Sequence, residues 1–117
     1  AIKACPDGWH IPSDEEWKIL IKSQGDHRFA GDKLKTITWK KLESEPNNKS
    51  GFSALPGGEY DADAHKFWGI EEIASWWSAT ALNNYTYYVY CLHYDASDVS
   101  QNQDFDTNAH SVRCVKN

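Results

Sequence analysis

"CPDGWHIPSDEEW", residues 5–17, is the stretch on which the reading of this chain turns. It is either the entrance to an active site, with Cys5 as nucleophile and His10 as base, or the corner of a scaffold. Ser13-Asp14-Glu15-Glu16 has the form of a capping box, in which the Ser13 hydroxyl accepts from the third helical N–H while Glu16 reaches back. Three acidic residues in the first turn suit the positive end of a helix dipole. The spacing predicts a helix of about ten residues, with Trp17, Leu20 and Ile21 on one face and Gly25 as its stop. Ahead of it, Pro6-Asp7-Gly8 makes a tight turn, and Trp9 and Ile11 point the same way from a short extended piece. A thiolate at Cys5 would need His10 oriented by a third group. The stretch supplies none, and Pro6 follows the cysteine directly.

Cys5, Cys91 and Cys114 are an odd count. Cys5 and Cys114 sit near the two ends, so a bond between them closes a loop of roughly 108 residues and contributes about 4–5 kcal/mol in the chain-entropy model. Such a bond belongs to an oxidising compartment. Cys91 is then left over, a small hydrophobe buried in a strand. The length of 117 residues suits one domain, residues 1–117, with one core. Six Trp and six Tyr with no Met supply large rigid side chains for a small core and for binding. A net charge of −5 argues against nucleic acid, which needs clustered cations. The one basic cluster, Lys33, Lys35, Lys40 and Lys41, reads as solvated surface. No apolar run is long enough to enter a membrane as a spanning helix. There is no signal peptide and no initial Met, so the chain reads as a mature product or an excised domain.

Beyond the first helix, a helical turn is expected around residues 27–34. "ESEPNNKSG" then reads as loop, "FSALPGG" as a short strand ending in a turn, and "DADAHK" as another solvated loop. "IASWWSAT" and "TYYVYCLHY" are strands rich in aromatic and β-branched residues. The second places Tyr88, Tyr90, Leu92 and Tyr94 on one face and Tyr87, Val89, Cys91 and His93 on the other. "DASD" turns the chain, and "VSQNQ" and "HSVRCVK" are the last two strands. The order gives an α+β domain: one or two short helices, a twisted antiparallel sheet and long loops.

Motifs for chemistry are partial. Asp104 to Asn108 opens like a calcium loop, but Ala109 stands where the hinge glycine belongs and Val115 where the bidentate glutamate belongs. Asp61, Asp63 and His65 alternate in the same way without a completing ligand, and both stretches read as solvated polar loops. Glu45-Pro46-Asn47 matches the tripeptide with which calcium-dependent lectins hold the ion and two sugar hydroxyls. Glu45 and Asn47 are therefore the weak metal candidates. The downstream Trp-Asn-Asp strand of those lectins is here Trp76-Trp77-Ser78, without the carboxylate. No Walker loop, dinucleotide-binding glycine pattern, zinc cysteine pair or nucleophile elbow is present. Nothing in the sequence calls for an enzyme or a resident cofactor, calcium being the one ion to test.

"CPDGWHIPSDEEW", "AGDKLK", "SGFSALPGGEY", "WWSAT" and "SVRCVKN" follow one another across nearly the whole chain. Together they resemble the Fibrobacter succinogenes major paralogous domain, found in secreted and surface proteins, lipoproteins among them, of Bacteroidetes and Fibrobacteres. That resemblance implies a C-type lectin-like fold akin to the formylglycine-generating-enzyme and sulfatase-modifying group. It also implies a Cys5–Cys114 bridge, a scaffold of Trp9, Trp17, Phe52, Leu55, Trp76 and Trp77, and an extracellular or cell-surface location. The opening stretch then reads as a structural corner. Family members carry a Gly-x-Tyr-x-Trp-like strand just before the segment matching "AIKAC", which this chain lacks. Either the domain was cut or another segment supplies that strand; a missing one would leave an edge open to a partner. The catalytic cysteine pair of formylglycine-generating enzymes has no counterpart, so an oxidoreductase using Cys91 is the lesser alternative.

Residues 83–110 are rich in Asn, Tyr, Asp, Ser, His and Gln, the palette of adaptable recognition surfaces. The expectation is a non-catalytic recognition module that binds carbohydrate or a surface protein there. Tyr85 and Tyr87 are the candidate anchors, and Asn83, Asn84, His93, Gln101, Asn102, Asp104 and Asn108 the polar contacts. A spacer domain of a larger surface protein is the other reading.

Overall fold

A computed structural model describes residues 3–117. The helix α1, Asp14–Ser23, begins as its capping box requires. The Ser13 hydroxyl accepts from the Glu16 N–H, and the Glu16 carboxylate accepts from the Ser13 N–H, both at 3.2 Å. Gly25 ends the helix at φ +90°, and its N–H donates to the Lys22 carbonyl. Trp17 carries the buried face. A 3₁₀ turn, His27–Phe29, leads into α2, Ala30–Leu34, where the helical turn was expected. Gly31 sits there because a Cβ would come within 2.3 Å of the Asp98 carbonyl oxygen.

Among the described residues, seven strands make three antiparallel groups. β1 (Trp9–His10) pairs with β7 (Val115–Lys116), and β2 (Glu59–Asp61) pairs with β3 (Lys66–Trp68). β4 (Ile73–Ala81), β5 (Thr86–His93) and β6 (Ser100–Phe105) form a three-stranded sheet with β5 in the middle. Short helices with antiparallel sheets make this an α+β structure. The Cys5–Cys114 disulfide ties the β1–β7 ribbon together. The outer edge of β4 is covered by the ribbon's flanks: Ala79 N–H donates to Pro12 O at 2.8 Å, and Trp77 N–H to Ser111 O at 3.2 Å. No helix among the described residues is long and apolar enough to cross a membrane.

The alternation read from β5 sorts its side chains as expected. Tyr90 and Leu92 join Trp17, Leu34, Trp39 and Trp76 in the main core, while Val89 and Cys91 pack with Trp77 and Tyr87 on the opposite face. Trp17 lies 5.3 Å from Tyr90, nearly parallel to it, and 5.8 Å from Trp76. Asp14 joins helix to sheet, its Oδ1 accepting from the Tyr90 hydroxyl and from Gln101 Nε2 at 2.6 Å, while Lys18 pairs with Oδ2 at 2.8 Å. Burial pushes the Asp14 carboxyl up, but these donors outweigh it and hold the group below its usual range.

Several expectations are corrected. "FSALPGG" is not a strand: Ala54 alone makes a parallel bridge to Lys35, with Ser53 at φ +61° before it and Pro56 soon after. Of the residues expected in the scaffold, Leu55 and Trp9 are exposed, because the chain around Leu55 runs over the surface and the two-residue strand β1 has no layer outside it. "DADAHK" is, as expected, a solvated loop, and the structure adds that it is the tip of the β2–β3 hairpin, closed by Asp61, whose Oδ1 accepts from the Asp63 and Ala64 N–H groups. "HSVRCVK" is strand only at Val115–Lys116. Lys35, expected on the surface, is fully buried, because oxygen acceptors converge on its ammonium. The family strand expected ahead of "AIKAC" lies outside the described residues.

Candidate functional site

The β5 face that carries Val89 and Cys91 is the floor of the candidate site. Register places Asp104 opposite Tyr87 and Asn102 opposite Val89, so β6 sends both polar side chains to this face. The β2–β3 hairpin forms the facing wall. Its pairing puts Glu59 beside Trp68 and Asp61 beside Lys66 on one side, and Tyr60 beside Phe67 on the other. Between wall and floor is an open cleft of about 420 Å³, lined among others by Tyr60, Trp68, His93, Asn102, Asp104 and Asn108. A second cleft of about 610 Å³ adjoins it across Asn108 and His110, with Trp77, Tyr87, Ile11 and Lys3 in its lining.

A buried polar network holds this arrangement. His110 Nε2 lies 2.7 Å from Asp104 Oδ2, and its Nδ1 lies 2.7 Å from the Ser75 hydroxyl, with Glu59 Oε2 at 3.4 Å. The ring meets Trp77 edge-on at 4.6 Å. Asn108 bridges the hairpin to β6, its Oδ1 accepting from the Ala62 N–H at 3.0 Å and its Nδ2 donating to Asp104 Oδ1 at 2.8 Å. The residue types are those of a serine hydrolase, but the accessibility is not. Ser75 is 0% exposed, and a nucleophile has to be reached by the acyl carbon it attacks. Ser75, His110 and Asp104 instead lock the segment after β6 onto the sheet.

Four of the expected contact residues, His93, Asn102, Asp104 and Asn108, line the first cleft, and Tyr87 lines the second. Tyr87 is half-buried against Trp77 and so also serves the smaller core. The Asp104–Asn108 stretch, expected as a solvated loop, is exposed at Phe105, Asp106 and Thr107, while its half-buried ends are bonded: Asp104 accepts from the Phe105 N–H, Asn108 and His110. Gln101 lies on the opposite face of the sheet, bonded to Asp14. Asn83, Asn84 and Tyr85 form the tip of the β4–β5 hairpin, where Asn83 Oδ1 accepts from the Tyr85 and Thr86 N–H groups. They line neither cleft.

Glu45 and Asn47 are exposed on the loop beside α2, and Asn47 Oδ1 already accepts from the Lys49 N–H. Among the described residues, no three His, Cys, Asp or Glu side chains gather to hold a metal ion. Cys91 lies in the floor of the first cleft, 5% exposed, and burial pushes its thiol up to about 11. At neutral pH it is therefore a thiol and not a thiolate.

The hairpin wall, with Glu59, Tyr60, Asp61 and Trp68, was not foreseen from the sequence, nor was His110. Three-residue strands give period-two alternation nothing to count. The pair of aromatics in "HKFWG" between two polar loops was the signal on offer.

The family model of the Fibrobacter succinogenes major domain matches residues 1–116. The chain belongs to this family. The match takes in both bridged cysteines and every residue of both clefts of this Fibrobacter succinogenes major domain. No curated protein matches the chain, and no solved structure does.

Proposed function

We propose that this domain is a non-catalytic recognition module of an extracellular or cell-surface protein, built on a C-type lectin-like plan, and that it binds carbohydrate in the cleft between the β2–β3 hairpin and the sheet. One observation carries the reading: half-exposed Trp68 faces His93, Asn102, Asp104 and Asn108 across an open cleft. A sugar ring offers an apolar C–H face and a rim of hydroxyls. An indole on one wall and amide, imidazole and carboxylate groups on the other match those two features. The disulfide supports a location in an oxidising compartment. A helix, a disulfide-tied ribbon of the chain ends and a three-stranded sheet support the lectin-like plan.

The test is binding of the oxidised domain to plant, host and bacterial glycans, with calcium and with a chelator. Trp68→Ala is expected to weaken binding about tenfold or more, roughly 1.4 kcal/mol. The melting temperature should be nearly unchanged, because Trp68 lies outside both cores. Calcium-dependent binding would move the site to Glu45 and Asn47. Absence of any glycan ligand would overturn the reading in favour of a protein partner or a spacer.

A further inference from the structure

The first cleft has a charge character that narrows its ligand. Glu59, Asp61 and Asp104 line it, and no Lys or Arg does. Asp104 is spent on internal donors, and Asp61 Oδ1 on the hairpin turn. Asp61 Oδ2 and Glu59 Oε1 have no hydrogen-bond partner among the described residues. Both residues lie on the side of the hairpin that carries Trp68, Glu59 directly across from it. Lys66, opposite Asp61 at the hairpin's outer end, is exposed and makes no ion pair with a described residue. The other titratable groups lining the cleft are Tyr60, Cys91, His93 and His110, the last enclosed by Ser75, Asp104, Glu59 and Trp77.

An indole with one carboxylate directly across the strand pair and a second diagonal to it, both with free oxygens, is the chemistry that receives an ammonium group, by cation–π attraction and charge-assisted hydrogen bonds. The same carboxylates repel uronate, sulfate and phosphate. The geometry points to a glycan that carries a free amine, a deacetylated amino sugar, as the ligand class of this cleft. Its ammonium sits between Asp61 and Glu59, and its ring lies on Trp68. This rests on the carbohydrate reading above.

The experiment is calorimetric titration of the whole chain near pH 5.5, where ordinary Asp and Glu carboxylates remain ionised. The probes are glucosamine oligosaccharides, their N-acetylated forms, neutral glucose oligosaccharides, polygalacturonate and polylysine. Glucosamine oligosaccharides are expected to bind about tenfold tighter than the N-acetylated and glucose forms, and polygalacturonate not to bind. Asp61→Asn, which keeps the Oδ1 acceptor of the hairpin turn, is expected to erase that preference, read as the ratio of amine-bearing to neutral sugar affinity within the variant. Raising salt should shrink the preference in the parent chain and leave it flat in the variant. Equal binding of amine-bearing and neutral sugars would overturn the amine inference and leave the carbohydrate reading standing. Binding of polylysine with no sugar bound would overturn both and assign the cleft to a basic protein segment. Failure of every probe would also overturn both.

Discussion

Replacing Lys35 with methionine is expected to remove about 3–5 kcal/mol of folding stability, the usual cost of stripping one partner from a buried charged contact. Lys35 follows α2 and its side chain is fully buried. Its ammonium donates to His93 O at 2.5 Å, to Ala96 O, and to the Ser44 hydroxyl at 3.1 Å. Asp32 Oδ1 lies 3.9 Å away, and the Trp39 ring centre 5.3 Å. Burial pulls the Lys35 pKa below that of an ordinary lysine, as expected for a desolvated ammonium whose stabilisation comes from protein oxygens. Methionine fills nearly the same volume but donates nothing. The Ala96 carbonyl would lose this donor, the His93 carbonyl would be left to the Ala96 N–H at 3.4 Å, and the Asp32 carboxylate, whose Oδ1 already has no hydrogen bond, would lose its nearest cation. Urea denaturation checks this, with the midpoint falling and the slope unchanged. The double variant Lys35→Met with Asp32→Asn should recover part of the loss, since it no longer leaves a lone buried charge. A loss under about 1 kcal/mol would mean that water takes over the ammonium's role, and the account would fail.

Lys35 also shows where reading a sequence stops. Within Lys33, Lys35, Lys40 and Lys41 it looks like its neighbours, and Lys40 and Lys41 do form exposed pairs with Glu71 and Glu72. Its two carbonyl acceptors lie 58 and 61 positions away, so no local pattern marks it. Asp14 is similar. Its place in the first helical turn was legible because a capping box is complete within four residues, but its bonds to Tyr90 and Gln101 span 76 and 87 positions. The two faces of β5 were legible because eight residues at period two suffice to sort them. The polar composition of residues 83–110 singled out His93, Asn102 and Asp104, which line one cleft; the sequence alone could not order them around it. It could not foresee that three-residue strands would stand Trp68 opposite them, or that Gln101 would belong to the helix contact.

Removing the Cys5–Cys114 bond, by reduction or by Cys5→Ala with Cys114→Ala, is expected to cost about 3–5 kcal/mol of a total that for such domains is about 5–15 kcal/mol. The bridged residues are 109 positions apart, so the bond constrains nearly the whole denatured chain. The folded side also depends on it. β1 and β7 pair over two residues each, too few to hold a ribbon in water. Further ties across the ribbon are single hydrogen bonds: Asn117 N–H to Gly8 O at 2.9 Å, and His10 between Asn117 Oδ1 at 2.6 Å and Glu16 at 2.9 Å. Those two acceptors, Asn117 first and then Glu16, raise the His10 pKa, which fits an imidazole donating from both nitrogens. Urea titrations with and without reductant measure the cost. Hydrogen exchange should show β1, β7 and the N–H groups of Trp77 and Ala79 opening first, since the ribbon's flanks cover that edge of β4. Unfolding exposes Cys91, so the titrations are run in a Cys91→Ala background, where no free thiol can exchange with the bridge. A reduced protein within about 1 kcal/mol of the oxidised one would mean that packing alone holds the ribbon. The argument that this domain belongs where disulfides persist would then lose its physical basis.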